Sequence, residues 1–424
     1  MEHALVLHNA HWNNKKYAVK IKRELLESLK ELNSVKEIQI ITGLRRSGKS
    51  SIMKLYINWL METEDPKSLL FVNLDDPSFS EIYTHPAQFH KLIEAAETMT
   101  GVKVKYLLID EIQNVKGWEK YIKSVYDAER FKKICISGSN SSLLNSDYSA
   151  LLSGRYVLHQ LFPLSIDEIL DHYNLNDRLR IKQNQPKVNN ILTDALKSGC
   201  FPEIVLQKKN SIKHEILTSY YDSIIIKDCI INKELRDHRL FKEIAYYIFN
   251  NTASLYSYHS LSKALNVNDI TIKEYINAMK DAYLIYEIPQ FDYKLKKQIK
   301  SRRKLYSIDS GLINTVSLNF SENKGNLFEN MVFAELKKAG VKEIFVLNDT
   351  KECDFIIRYN NVTCAIQASY ELTTSNKARE VSGLLYAHTK YNIDKSFIVT
   401  FSQSDTIENG ITVVPVYALR SNIE

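Results

Sequence analysis

The chain has 424 residues, 44% of them apolar and 25% charged, and a net charge of +6. That length exceeds one ordinary hydrophobic core and predicts roughly two to four domains of a globular protein. No apolar run approaches the ~20 residues that cross a bilayer, so a membrane-spanning protein is not expected.

The N-terminus, Met1 to Val6, lacks the basic and long apolar regions of a signal peptide. The five cysteines (Cys135, Cys200, Cys229, Cys353, Cys364) are scattered and never in C-x-x-C spacing. They read as reduced thiols, and a cytoplasmic location is expected. His8-x-x-His11 has no Cys near it in sequence, and a metal site there is not expected. The charge is unevenly placed. From Phe291 to Leu305 seven basic residues face one acid, Asp292, so 7 − 1 = +6 equals the net charge of the whole chain.

Residues 1 to 37 form a lead-in, with a helix predicted over Lys15–Leu32 from the apolar spacing of Val19, Ile21, Leu25, Leu26 and Leu29. Trp12 has two readings, stacking on a nucleotide base or packing. A β-branched run, Ile38 to Thr42, then enters Gly43-Leu44-Arg45-Arg46-Ser47-Gly48-Lys49-Ser50, and a helix begins at Ser51. This is the full G-x-x-x-x-G-K-[ST] phosphate-binding loop. The glycines let successive N–H groups turn toward a phosphate, and the helix adds its N-terminal dipole. Lys49 supplies charge to the β- and γ-phosphates, and the Ser50 hydroxyl is a ligand for Mg²⁺. Residues 43 to 51 are the candidate nucleotide contacts.

Strand and helix patterns alternate from here. Leu69–Leu74 is a strand, a helix runs from Pro86 to Met99, and Tyr106 leads a third strand into Asp110 and Glu111. Asp110 at a strand end can hold Mg²⁺ opposite Ser50, and Glu111 can polarise a water for attack on the γ-phosphate. Gly117 to Phe131 reads as helix and Lys133 to Gly138 as the fourth strand. It ends at Ser139 and Asn140, either of which can contact the attacking water, or neither if the segment is a plain turn. Tyr156 to Leu161 supplies a fifth strand. Arg155, just before it, is a γ-phosphate sensor, an arginine finger across a subunit boundary, or a structural ion pair. No N-K-x-D element selects guanine, since Asn232-Lys233 is followed by Glu234-Leu235. ATP is therefore favoured over GTP.

From Pro163 to His238 the pattern is helical, with an exposed loop expected over Asn174–Asn190. Helices over Leu240–Asn250, Ser260–Leu265 and Thr271–Asp281, followed by apolar strands, make a winged-helix pattern. The basic run, with Lys294, Lys296, Lys297, Arg302 and Arg303, falls on the wing. It is suited to a DNA or RNA backbone, to a protein contact, or to nothing beyond solvation. The remaining chain alternates helix and strand again.

These pieces resemble a prokaryotic and archaeal family of AAA-type ATPases that join a P-loop domain to a C-terminal region that looks restriction-endonuclease-like. The resemblance rests on the P-loop, Leu-Asp-Asp-Pro at 74–77, Leu-Ile-Asp-Glu-Ile-Gln at 108–113 and Ser-Gly-Ser at 137–139. It continues with Ser-Gly-Arg at 153–155, Gly-Cys-Phe-Pro-Glu at 199–203 and Leu-Tyr-Ser-Ile-Asp-Ser-Gly-Leu at 305–312. It implies an α/β fold: an AAA-type P-loop parallel sheet, a helical and winged-helix region, and a small nuclease-like α/β domain. The expected boundaries are 1–165, 166–238, 239–310 and 311–424. A working nuclease core needs a helix Glu, a strand Asp and an acid-x-Lys on the next strand. Glu329 and Asp354 match the first two, but Gln367 and Ser369 stand at the third. Glu352 is expected on the opposite strand face, and Lys351 and Lys377 are the lysines near enough to be weighed as substitutes. The domain is expected not to cut nucleic acid. The whole reads as a slow Mg²⁺-dependent ATPase whose nucleotide state sets its domain arrangement. It acts on nucleic acid or as a switch for a protein partner, with an ATP-gated nuclease as the weaker alternative and the oligomeric state open.

Overall fold

The computed structural model describes residues 1–139, 151–317, 324–407 and 410–424. The chain divides into two compact units, Met1–Phe162 and Pro163–Glu424.

In the first unit five apolar runs become β1 (Ile38–Thr42), β2 (Leu69–Asn73), β3 (Tyr106–Asp110), β4 (Lys133–Gly138) and β5 (Tyr156–Gln160). Their order is β2-β3-β4-β1-β5 and every pairing is parallel. β1, β3 and β4 are buried throughout, as continuous apolar runs in a parallel sheet require when both faces are covered. On one face Ile40, Val72, Ile109 and Ile136 pack with Phe89 and Trp118. On the other, Ile41, Phe71 and Leu108 pack with Ile52, Tyr56 and Leu60 of helix Lys49–Leu60. The carboxyl ends of all five strands therefore open on one rim, where such sheets place their ligands.

β2 is an edge strand, and an unpaired edge is a liability. The lead-in closes it. Asn9 Nδ2 donates to Phe71 O at 2.9 Å, and Phe71 N donates to Asn9 Oδ1 at 2.7 Å, so one amide side chain imitates a neighbouring strand. Trp12 Nε1 donates to Leu69 O at 2.8 Å and the ring lies in the core. This corrects the base-stacking reading of Trp12. His11 contacts Leu69 O and the Tyr17 hydroxyl, and burial pushes its pKa down to about 4, which keeps it neutral. The helix expected over Lys15–Leu32 is shortened to Leu25–Glu31. Its first part is held non-helical by Asn58, whose side chain pairs with both the N–H and the C=O of Tyr17 at 2.8 Å.

The second unit begins with helices Ile166–His172, Arg178–Gln183, Gln185–Ser198 and Asn210–Ser223. The loop expected over 174–190 is thus mostly helical. Asp177 caps one helix through Arg180 N at 2.8 Å, and the low apolar content reflects a solvated outer face. Three helices, His238–Asn250, Tyr258–Leu265 and Asp269–Asp281, follow with strands β6 (Leu255–Tyr256), β7 (Ile285–Pro289) and β8 (Arg303–Ser307). These strands form an antiparallel sheet in the order β6-β8-β7, and a short helix, Leu295–Lys300, lies between β7 and β8. Helix Lys324–Lys338 leads to β9 (Glu343–Asn348), β10 (Glu352–Tyr359), β11 (Val362–Ala368), β12 (Lys395–Thr400), β13 (Asp405–Ile407) and β14 (Ile411–Pro415). They make a mixed sheet in the order β13-β14-β12-β11-β10-β9. The Gly-Cys-Phe-Pro-Glu and Leu-Tyr-Ser-Ile-Asp-Ser-Gly-Leu motifs meet here. Cys200 N donates to Asp309 Oδ2 at 2.6 Å, and a Cβ on Gly199 (φ 79°) would lie 1.9 Å from Asp309 Oδ1, so only glycine fits.

No helix among the described residues is long and apolar enough to cross a membrane.

Candidate functional site

The phosphate-binding loop leaves β1 at the carboxyl rim and enters helix Lys49–Leu60. Gly43 and Gly48 take φ of 146° and 103°, and Arg46 takes 69°. Gly43 is required for a second reason: a Cβ there would sit 2.0 Å from Leu161 O, where the chain leaves β5. Leu44 and Ser47 are buried, Arg45 is half-buried, and Arg46 and Ser51 are exposed. Lys49 is buried and its Nζ donates to Gly43 O at 3.1 Å and Leu44 O at 3.2 Å. The ammonium thus lies folded back on the loop's own carbonyls.

β3 lies two strands from β1, across β4, and delivers Asp110 to the same rim. Ser137 Oγ donates to Asp110 Oδ1, and the Ser50 hydroxyl also reaches this carboxylate. Burial, then the neighbouring Glu111 charge, push the Asp110 carboxyl above the usual range, while Ser137, Ser50 and Lys49 pull it down. Asp110 Oδ2 is buried without a hydrogen-bond partner among the described residues. An orphaned carboxylate oxygen beside a hydroxyl fits a hard divalent cation such as Mg²⁺, whose charge would also reverse the shift.

Glu111 turns off β3 in the left-handed region, at φ 57°. Gln113 Nε2 donates to Glu111 Oε2 and, at 3.3 Å, to Ser139 Oγ at the end of β4. Glu111, Gln113 and Ser139 therefore form one polar group on the rim. Asn140 lies outside the described residues.

Arg155 is not brought to the rim. It precedes β5, its carbonyl accepts from Ile38 N at 2.8 Å, and its guanidinium pairs with Asp127 at 3.0 Å. That is the amino end of the sheet, about 13 Å of strand from the loop. Sensing the γ-phosphate within the same chain is thereby corrected to a structural ion pair.

Two residues at the rim escaped the sequence reading. Arg23 is buried, and its guanidinium donates to Ser47 O and Phe162 O, both at 2.7 Å, bracing the outside of the loop. A single arginine in a lead-in has no local signal. Gln113 had one, because it stands two residues after Glu111 in a motif already singled out.

The basic run also differs from expectation. Arg303 NH1 and Lys280 Nζ both pair with Glu287 Oε2 at 2.9 Å, and Tyr258 OH donates to Glu287 Oε1 at 2.6 Å. Arg303 is thus committed internally and does not face a phosphate backbone. Lys294, Lys296, Lys297, Lys300 and Arg302 are exposed, with Asp292 3.7 Å from Lys297.

Lys304, counted with that run, is buried. Its Nζ lies 2.9 Å from Glu329 Oε1, 3.1 Å from Glu352 Oε1 and 3.7 Å from Asp354 Oδ1. Glu352 and Asp354 thus share one face of β10, as positions i and i+2 should, so the opposite-face expectation for Glu352 is wrong. Lys351 and Lys377 are exposed, and the lysine near these acids is one neither spacing nor motif marked. Gln367 Oε1 accepts from Asp354 N at 3.3 Å, and Ser369 Oγ donates to Glu371 O at 3.1 Å.

Residues 35–170 match the family model described as an AAA domain, and residues 189–324 and 324–419 match two domains of unknown function, DUF8612 and DUF4143. An uncharacterized protein of Haemophilus influenzae is 30% identical over 398 residues, covering 92% of this chain and 96% of that protein. An uncharacterized protein of Methanocaldococcus jannaschii is 31% identical over 387 residues, covering 89% and 84%. Among solved structures, the Aeropyrum pernix Orc1 protein in complex with DNA aligns over 72% of this chain and 94% of its own, with 11% identity and a TM-score of 0.33. A likeness that weak adds nothing to the site. The sheet order, the loop at its rim and the near full-length match to the H. influenzae protein agree, and the chain belongs to this family of AAA-type P-loop ATPases with a C-terminal part of unknown function.

Proposed function

We propose that the protein binds ATP with Mg²⁺ at the carboxyl rim of the parallel sheet and hydrolyses it slowly. The observation that carries this reading is the orphaned Asp110 Oδ2 beside Ser50, at the mouth of a loop with a buried Lys49. Backbone N–H groups of residues 43 to 51 would cradle the β-phosphate, with Lys49 leaving the Gly43 and Leu44 carbonyls for the β- and γ-phosphates. Mg²⁺ held by Ser50 and Asp110 would neutralise charge on those phosphates. Glu111 is the base that orients water, and Gln113 and Ser139 set its position.

The nucleotide state is read out by residues 163–424. The order over 238–307 of helix, strand, two helices and then two strands joined through the short helix Leu295–Lys300, with sheet order β6-β8-β7, supports a winged helix whose wing is residues 290–302. The sheet of β9 to β14 with helix Lys324–Lys338 is in keeping with a nuclease-like domain that has lost its activity. The exposed cations of the wing favour a nucleic-acid backbone as partner. The exposed Tyr293, Leu295 and Ile299 on the same wing favour the second reading, a protein partner.

ATP turnover measured with and without double-stranded DNA separates the two. Stimulation by DNA, absent with a salt-matched polyanion, supports the first reading and its absence supports the second. On the first reading, replacing Lys294, Lys296, Lys297 and Arg302 with Ala weakens binding to all sequences alike. It also flattens the log–log salt dependence by about 0.9 for each phosphate that is no longer neutralised. An unchanged slope would leave the wing a solvated face.

A further inference from the structure

Three carboxylates from two elements converge in the second unit: Glu329 from helix Lys324–Lys338, and Glu352 and Asp354 from β10. In a nuclease core this convergence holds a divalent ion, with oxygens at about 2.0–2.6 Å. Here the centre of the group is a side chain. Lys304, from β8 of the winged-helix sheet, contacts all three carboxylates, and only 4% of its side chain meets solvent. Tyr306, two residues on and so on the same strand face, donates its hydroxyl to the same Glu329 Oε1 at 2.6 Å. Asp354 Oδ2 accepts from Ala368 N at 2.9 Å. Two of these oxygens are therefore committed to donors within the chain, and an ammonium and a metal ion cannot share the remaining space.

The third nuclease position adds no ligand. The Gln367 oxygen and the Ser369 hydroxyl both make local bonds to backbone groups. A lysine that served catalysis would flank a metal and reach toward the scissile phosphate. A lysine within ion-pair distance of every acid stands where the metal itself would be.

We propose that Lys304 is the resident cation of this acidic pocket, replacing the divalent metal of a nuclease core and tying β8 to the C-terminal sheet. Burial is what makes the replacement effective. Glu329 and Asp354 are buried while Glu352 reaches the lysine from the exposed side. Two buried carboxylates with no counterion could not both remain ionised, and a buried ion pair broken on one side is strongly destabilised. The lysine satisfies them without depending on metal supply, and it couples the winged-helix sheet to the last domain through one side chain.

The test is Mn²⁺ binding to the nucleotide-free full-length protein, followed by electron paramagnetic resonance. The parent and Asp354→Asn are expected to take up Mn²⁺ equally, because Asp354 holds none. Lys304→Met is expected to gain one Mn²⁺ site with at least tenfold tighter binding than any in the parent, lost again in Lys304→Met/Asp354→Asn. Lys304→Arg should behave as the parent. A folded Lys304→Met that gains no site would overturn the proposal. So would a parent that loses one bound Mn²⁺ on Asp354→Asn, or that cuts plasmid DNA in an Asp354-dependent way. If Lys304→Met does not accumulate as folded protein, the comparison of parent with Asp354→Asn decides alone.

Discussion

Glu111→Gln is expected to bind ATP as the parent does and to hydrolyse it about 10²–10⁴ times more slowly, the usual contribution of a positioned general base. The substitution keeps the shape of the side chain and its ability to accept from Gln113, while removing the charge that draws a proton from water. The loop, Lys49, Ser50 and Asp110 are untouched, so binding should change little. Geometry makes the two effects separable. Glu111 stands on the turn after β3 with Gln113 and Ser139, whereas the nucleotide contacts belong to the turn after β1. Single-turnover and steady-state rates at saturating ATP measure the loss. Equal turnover in variant and parent would remove Glu111 from the mechanism.

Glu287→Ala should loosen the sheet β6-β8-β7 by about 3 kcal/mol, at the low end of the cost of breaking a buried ion pair. The Glu287 side chain is 1% exposed, while Lys280 and Arg303 are 36% and 25% exposed, so solvent relieves part of their stranded charge. Glu287→Gln should cost less, because it still fills the space between Tyr256 and Tyr258. A pH signature accompanies the group. Burial alone would raise the Glu287 pKa, but the Tyr256 and Tyr258 hydroxyls and Lys280 outweigh it and hold the carboxyl below 4.5. A depressed carboxyl contributes stability that is present above pH 4.5 and lost as pH falls through the folded value. Hydrogen-exchange protection of β6, β7 and β8 should therefore fall below about pH 4.5 in the parent, and less so in Glu287→Gln. Protection in Glu287→Ala equal to the parent's would show that the four-partner cluster adds nothing.

The first unit was legible because its signals are local. Each strand is one contiguous apolar run, and each site residue stands at the end of such a run. Parallel pairing then gathers Ser50, Asp110 and Ser139 on a single rim without further information. What escaped depends on distant pairings. Arg23 is 24 residues from Ser47 and 139 from Phe162, and no spacing links them. Trp12 and Asn9 read as an unattached lead-in until the edge strand they cover is known. Arg155 follows a motif glycine, yet the chain direction of β5 places it at the wrong end of the sheet. In the second unit the basic run misled by its uniformity. Lys296 is exposed on helix Leu295–Lys300, whereas Arg303 and Lys304 are neighbours on β8, one paired with Glu287 and the other buried. That Ser369 stands where the expected nuclease pattern would need a lysine was legible. The lysine that closes the pocket was not, because it comes from another sheet.

The central claim is that ATP binds at the rim of the parallel sheet through Lys49 and a divalent cation. Equilibrium titration of a fluorescent ATP analogue into the parent and Lys49→Ala, each with Mg²⁺ and with a chelator, tests it most directly. The parent should bind, with clear weakening when Mg²⁺ is withdrawn. Lys49→Ala should lose at least about tenfold in affinity, since a charge-assisted hydrogen bond is worth about 1.5–3 kcal/mol and its phosphate partner is left uncompensated. Parent and Lys49→Ala binding ATP with the same affinity and the same response to Mg²⁺ would contradict the account.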